Sequence, residues 1–441
     1  MIAISKFSND NPRFINILNR QSGGSEQINK TVCNILEDVK QNGDTALNKY
    51  MLQFDGIDLD SVDVRVSSKE FEDAKSRIPE YMANSIKKAC DNIIKYHQEQ
   101  LPKGYTTEYE DGVILERKYR PLNRVAVTVP GDKAPLLSTL YMNLIPAIVA
   151  GVPEIYVITK PKENKINDYL LFVADYLNVK NVLKISGAQG IAAVAYGTEK
   201  IPKVDAIVGP GNNYTQMAKK QLYGTVKIDS LAGPSEIAII ADENSNPTYI
   251  AADLLSQAEH GTGYEASTVF CLSDSFAKAI NSEVERLIAE YNLCSTKKSL
   301  ENYGDIFVVN SINDAIDAVN MIAPEHVELM VSTPEKYVSL LTNAGAIFVG
   351  EYSTEPVGDY FCGTNHVLPT CGTARFSSGL SVLDFMRGYS VIRYTSQALR
   401  KNGTHIMNIA ETEGLRAHSL AVKLRIKWFF YDYNVFWFRG I

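Results

Sequence analysis

The sequence predicts an α/β fold made of two Rossmann-like, doubly wound parallel-sheet lobes, with a helical N-terminal region and a helical C-terminal arm. Three observations carry this. Between residues 125 and 349, short apolar runs alternate with stretches of helical period. Gly and Pro gather where an apolar run gives way to a helix, as at Pro130-Gly131, Gly187 and Gly209-Pro210-Gly211. At 441 residues the chain is long enough for two or more domains with ample core.

In chain order, helices are expected over 28–54 and 68–99, where charged positions are frequent, with a short strand near 62–66. The first alternation then reads strand 125–129, helix 136–149, strand 154–159, helix 166–177, strand 182–185, helix 189–196, strand 206–208 and helix 213–223. A second alternation follows Pro234: strand 237–240, helix 248–258, strand 268–272, helix 275–291, strand 306–309, helix 312–322, strand 327–330, helix 334–341 and strand 346–349. From about 380 the pattern is helical again, over 380–386 and 408–426. Ligands of such sheets bind beyond the carboxyl ends of the strands, so the loops opening at Pro130, Ser186, Gly209 and Ala232 are expected to converge.

Composition narrows the function. A formal net charge of −7 with no long Lys/Arg cluster argues against nucleic acid or an anionic membrane as partner, and favours small-molecule chemistry. Six scattered cysteines without a CxxC pair fit reduced thiols, mostly core filler, in a cytoplasmic protein. The first residues, MIAISKFSNDNPRF, show no secretory signal. The aromatic tail WFFYDYNVFWFRGI from Trp428 is too short and interrupted to span a bilayer, and it carries no functional reading.

Polar residues with chemical potential fall at a few places. Gln257 and His260 close an apolar helix just before Gly261 and Gly263; they read either as half a metal site or as caps on the last carbonyls. Glu325 and His326 follow Pro324 between a helix and a strand, as a carboxylate and imidazole tuned for base chemistry or as solvated charges at a helix stop. Asp359 and His366 lie in a Gly-rich stretch, and Glu413 and His418 on a helical one whose apolar positions already explain it. His97 and His405 sit in polar surroundings that point to solvent. The turns at 187–189 and 209–212 open helices after buried strands. Each is either strand-to-helix punctuation or a phosphate cradle, and neither is GxGxxG. Together, Gln257, His260, Asp359 and His418 would offer oxygen and imidazole donors suited to Zn²⁺ with open positions.

The motifs AGPSE at 232–236, SQAEH at 256–260, APEH at 323–326, GTNHVLPT at 363–370 and LRAHSLAVKLR at 415–425, in this order, resemble histidinol dehydrogenase. With GAQGIAAVAYG at 187–197 and GPGN at 209–212, the resemblance runs from about Arg124 to Arg425. It implies an NAD-dependent, zinc-containing homodimer that oxidises L-histidinol through L-histidinaldehyde to L-histidine in histidine biosynthesis, using two NAD. Carried over residue by residue, Gln257, His260, Asp359 and His418 match the zinc ligands, and Glu325 and His326 the catalytic pair. Ser235, His366 and Glu413 match positions that contact or shape the substrate site, to which the zinc ligands and His326 also belong. Thr128, Gln189 and Asn212 match the NAD contacts.

The resemblance also implies an organisation: 1–20 as an N-terminal helical segment, 21–123 with 237–380 as one α/β lobe, 124–236 as the NAD-binding lobe, and 381–441 as a dimerisation arm whose Glu413 and His418 complete the neighbour's site. One segment departs from the family pattern. Where relatives carry an aromatic residue before the Pro-Gly and a Gly-rich turn after it, this chain has Thr128 and PGDKAPLLS, which removes stacking area and adds the charge of Asp132. The alternative is a paralogous zinc and NAD enzyme acting on another small polar alcohol, such as a sulfonated diol; the retained Ser235, Glu413 and ligand set favour histidinol.

Overall fold

The computed structural model describes residues 2–20, 26–131 and 136–435, with side chains through 426. Asp132 and the side chains of the aromatic tail therefore lie outside the described residues. Contacts divide the chain into two units, residues 1–101 with 122–385, and 102–121 with 386–441.

The first unit holds two parallel sheets. Strand β1 (Ala3–Lys6) opens the chain, where helix was expected; its four residues alternate half-buried and exposed, a pattern of period two. After it the helix Glu26–Asp55 breaks at Gly43, whose φ of 51° and ψ of −129° no helix accommodates. The expected helix 68–99 is likewise two, Ser68–Arg77 and Glu80–Gln98, because Pro79 cannot continue the first. The short strand expected near Val62 is only an isolated bridge between Arg65 and Leu183.

Two antiparallel strands, β2 (Tyr105–Tyr109) and β3 (Val113–Pro121), belong to the second unit. Strands β4 (Arg124–Val129), β5 (Glu154–Thr159), β6 (Asn181–Leu183), β7 (Ala206–Val208) and β8 (Lys227–Ile228) then form a five-stranded sheet in the order β6-β5-β4-β7-β8. All its pairings are parallel. Strands β9 (Glu236–Ala241), β10 (Ala266–Cys271), β11 (Gly304–Val308), β12 (His326–Met330) and β13 (Ala346–Val349) join β1 in a six-stranded sheet, β1-β11-β10-β9-β12-β13. It too is parallel throughout. In each sheet the chain steps outward on one side and then crosses to the other, at β4/β7 and at β9/β12. That reversal is the doubly wound pattern expected from the sequence. It arises because runs such as EIAIIA are buried on both faces and need helices above and below.

Packing differs from the expected grouping of 21–123 with 237–380. Val32, Ile35, Val39, Leu47 and Met51 of the first long helix share one core with Ala126, Ile158, Leu183 and Ile207 of the five-stranded sheet. The apolar stripe of that helix therefore covers the 124–236 lobe. His97, expected in solvent, is fully buried and bonded through its ring to Ile93 O at 2.9 Å. Only Cys90 and Cys271 of the six cysteines are buried, so most are not core filler.

In the second unit β14 (Met386–Arg393) pairs antiparallel with β3, in a region expected to be helical. Its residues are half-buried or exposed with no regular alternation, so the strand is held by its pairing with β3 and not by an apolar face. The helices Ser396–Thr412 and Arg416–Val435 follow; a side chain at Gly403 would meet Ile426 Cδ1 at 2.2 Å, so glycine sets their close approach. Among the described residues no helix is long and apolar enough to cross a membrane.

Candidate active site

The polar cluster of the first unit sits where β9 and β12 begin. Glu236 opens β9 and Glu325 directly precedes β12, and each carboxylate accepts the other's backbone N–H at 3.1 Å. Burial lifts both above the usual carboxylate range. For Glu236, Arg20 opposes the lift and Glu325 adds to it; for Glu325, His326 opposes and Asp359 adds. Arg20 is itself buried and pairs with Glu236, whose carboxylate also accepts the Cys371 N–H at 3.0 Å. Ser235, just before β9, draws the Glu325 carboxyl down against its burial.

His326 is 2% exposed. Its Nδ1 lies 2.9 Å from Gln257 Oε1 and 3.2 Å from Glu236 O, while Nε2 faces Asp359 Oδ1 at 3.7 Å without a hydrogen-bond partner. Burial disfavours the imidazolium, yet Glu325 and Asp359 outweigh it and raise the group to about 10. Asp359, on the short helix Glu355–Tyr360, is held down to about 2 against its own burial by His326 and His366. Half-buried His366 places Nδ1 3.0 Å from Asp359 O. Gln257 and His260 do end the helix as expected; Gln257 is fully buried, and exposed His260 sets Nδ1 3.1 Å from Gln257 O.

These residues fit a zinc ion. His326, Glu355 and Asp359 bring ligand atoms within 4.8 Å of one another, and the buried amide nitrogen of Gln257 has no partner. Gln257 Oε1 turns one lone pair to the His326 Nδ1–H and keeps a second that could serve as an oxygen ligand, with Nε2 left as the basic nitrogen of the imidazole. Nitrogen and oxygen donors of this kind suit zinc with open positions.

The dinucleotide candidates lie at the carboxyl ends of the five-stranded sheet. Thr128 is buried in β4, beside the switch point at β7. Gly209 follows β7 with φ of 105°, and a Cβ there would stand 2.2 Å from Thr128 O. Asn212 is exposed and caps the helix Asn213–Leu222, accepting the N–H of Tyr214 and Thr215 at 3.1 Å each. Gln189 is 3% exposed and turns its amide to Asp55 Oδ2 at 3.3 Å, where Ser186 Oγ at 3.1 Å and Lys160 Nζ also converge. The Ala232 loop joins these turns as expected, leaving the carboxyl end of β8 with the Ala232 N–H held by Gln216 Oε1 at 3.2 Å; it then runs on to β9, so the cluster around Glu236 and His326 stands at the amino ends of the six-stranded sheet.

Glu413 and His418 lie in the second unit, both exposed, near the junction of its two helices. Residue-level reading missed Arg20, Glu236, Glu328 and Glu355, all buried. A signal was present: Glu236 and Glu328 interrupt strands otherwise apolar on both faces, where a carboxylate is costly unless it has partners.

The sequence profile of the family described as histidinol dehydrogenase matches residues 18–426. The chain belongs to the histidinol dehydrogenase family. It is 44% identical over 419 residues to histidinol dehydrogenase of Clostridium acetobutylicum, covering 94% of this chain and 96% of that protein. The Bacillus subtilis histidinol dehydrogenase is 44% identical over 413 residues, 91% of this chain and 94% of its own. The crystal structure of histidinol dehydrogenase from Elizabethkingia anophelis superposes with a TM-score of 0.90 at 35% identity, covering 97% and 99% of the two chains. As a histidinol dehydrogenase the chain is an NAD-dependent, zinc-binding oxidoreductase that oxidises histidinol in histidine biosynthesis. Nothing found favours the paralogous alcohol dehydrogenase.

Proposed function

We propose that Glu325 and His326 perform the proton transfers of the oxidation of L-histidinol through L-histidinaldehyde to L-histidine. The observation that carries this reading is the pinned imidazole of His326, with Nδ1 held by Gln257 and Nε2 left without a partner beside Asp359. In the first oxidation the carbinol C–H leaves as hydride to NAD while the O–H proton passes to His326 Nε2, which would be free to accept it once a metal ion on Asp359 offsets the charge that raises this imidazole. In the second, His326 returns that proton to the aldehyde oxygen while Glu325 takes one from the water that adds; burial keeps this carboxylate more basic than usual. The hydrate then gives its proton to His326 and its hydride to a second NAD. Gln257, His260, Asp359 and His418 would hold the zinc, which would supply positive charge for the nitrogen-bearing end of the substrate.

Ser235, His366 and Glu413 shape the substrate site, and Thr128, Gln189 and Asn212 contact NAD. The switch point of the five-stranded sheet supports the latter assignment, since ligands of open α/β sheets settle there. The chain works as a homodimer in which Glu413 and His418 complete the partner's site. Six unpaired cysteines support a cytoplasmic setting.

The test is to quantify NADH and histidine at completion with zinc-loaded protein, L-histidinol and excess NAD. Two NADH per histidine is the expected ratio. One NADH with accumulating aldehyde would remove Glu325 from its role, and no NADH would overturn the reading.

A further inference from the structure

We propose that Lys219 and Asp229 are positioning residues for the dinucleotide, forming a buried ion pair that clamps both backbone groups of Gly209 and so fixes the turn ending at Asn212. This rests on the reading of residues 209–212 as a dinucleotide contact.

Lys219 is fully buried, where an ammonium without a counter-charge would be very costly. Its Nζ lies 2.5 Å from Asp229 Oδ1 and 2.8 Å from the Gly209 carbonyl. The other Asp229 oxygen accepts the Gly209 N–H at 2.7 Å. Both hydrogen-bonding groups of Gly209 are therefore taken up by one ion pair, and the glycine is also pressed onto Thr128 in a conformation that only glycine adopts readily.

Lys219 rides on the helix that Asn212 caps, so the clamp ties the turn to the positive end of that helix's dipole, where a pyrophosphate is favoured. A second link runs from the same helix: Gln216 Oε1 accepts the Ala232 N–H at 3.2 Å. Ala232 stands between Asp229 and the substrate-site residue Ser235, which connects the dinucleotide turn to the substrate loop. Apolar residues of matching shape would close a plain strand-to-helix junction without the desolvation penalty of two charges. What the charged pair adds is directional bonding on Gly209 from both sides.

The experiment uses the zinc-loaded dimer carrying Lys219→Met together with Asp229→Asn, which removes both charges at once and leaves neither one stranded. NAD is titrated calorimetrically, and KM and kcat are measured alongside. The Kd for NAD is expected to rise about tenfold, the worth of one well-placed hydrogen bond. At saturating NAD, kcat and the KM for histidinol are expected to stay within about twofold, since uniform cofactor binding is what the clamp serves. A folded double variant with the wild-type Kd overturns the proposal when Gln189→Ala and Asn212→Ala weaken NAD in the same titration. If those two variants also bind NAD as the wild type does, the dinucleotide reading of the turn falls, and the role of the clamp falls with it.

Discussion

Glu236 and Glu325 hold each other: the carboxylate of each accepts the backbone N–H of the other at 3.1 Å, across the amino ends of β9 and β12. Arg20 supplies the cation that makes two buried carboxylates tolerable. Glu236→Ala strands buried Arg20 and frees the N–H groups of Glu325 and Cys371, so it is expected to cost about 3–5 kcal/mol. Glu325→Gln keeps an oxygen acceptor for the Glu236 N–H and is expected to leave stability nearly unchanged while stopping the oxidation at the aldehyde. Urea unfolding of both variants checks the contrast, and equal small losses would contradict it.

Asp38 braces the break at Gly43. Its carboxylate accepts Lys49 Nζ at 2.7 Å and Tyr50 OH at 2.8 Å, partners eleven and twelve residues on. An unbroken helix would carry them roughly 16–18 Å along its axis. Lys49, Asn42 and Tyr50 hold Asp38 down to about 2. A depressed acid binds fewer protons folded than unfolded, so its contribution is full above the unfolded pKa of about 3.9 and fades as pH falls toward 2. Unfolding free energies of Asp38→Asn and wild type, compared between pH 5 and 2, are expected to converge at the acid end. Parallel pH profiles would show that Asp38 adds nothing.

Sharing of the site across the dimer is tested by mixing two dead variants. In a heterodimer of His326→Asn with His418→Asn, one site unites an intact His326 with the partner subunit's intact His418. Random mixing by unfolding and refolding is expected to restore about a quarter of wild-type turnover, since half the dimers are mixed and half their sites are whole. A mixture as inactive as its components places both histidines in one subunit's site.

The β/α alternation was legible because strands buried on both faces read as continuous apolar runs, and Gln257 and His260 were legible as the end of an apolar helix. Other features depend on long-range pairing that local pattern does not carry. β1 is only four residues long and gains its place at the sheet edge from β11. β14 reads weakly until it meets β3, some 270 residues earlier in the chain. The first long helix carries an amphipathic stripe that would suit either sheet, and only the core around Ala126 and Leu183 shows which one it covers. At the site, Glu325 and His326 stood out as neighbours in sequence. Arg20 and Glu236, 216 residues apart, emerge only once the fold has joined them.

The central claim is that His326, pinned by Gln257, moves the protons. His326→Asn keeps a polar side chain of smaller reach, and the measurement is turnover of L-histidinol, with zinc content and NAD affinity confirmed on the same preparation. Loss of general-base catalysis is expected to lower kcat by about 10²–10⁴-fold while zinc and NAD remain bound. Wild-type turnover by the folded, zinc-loaded variant would contradict the account.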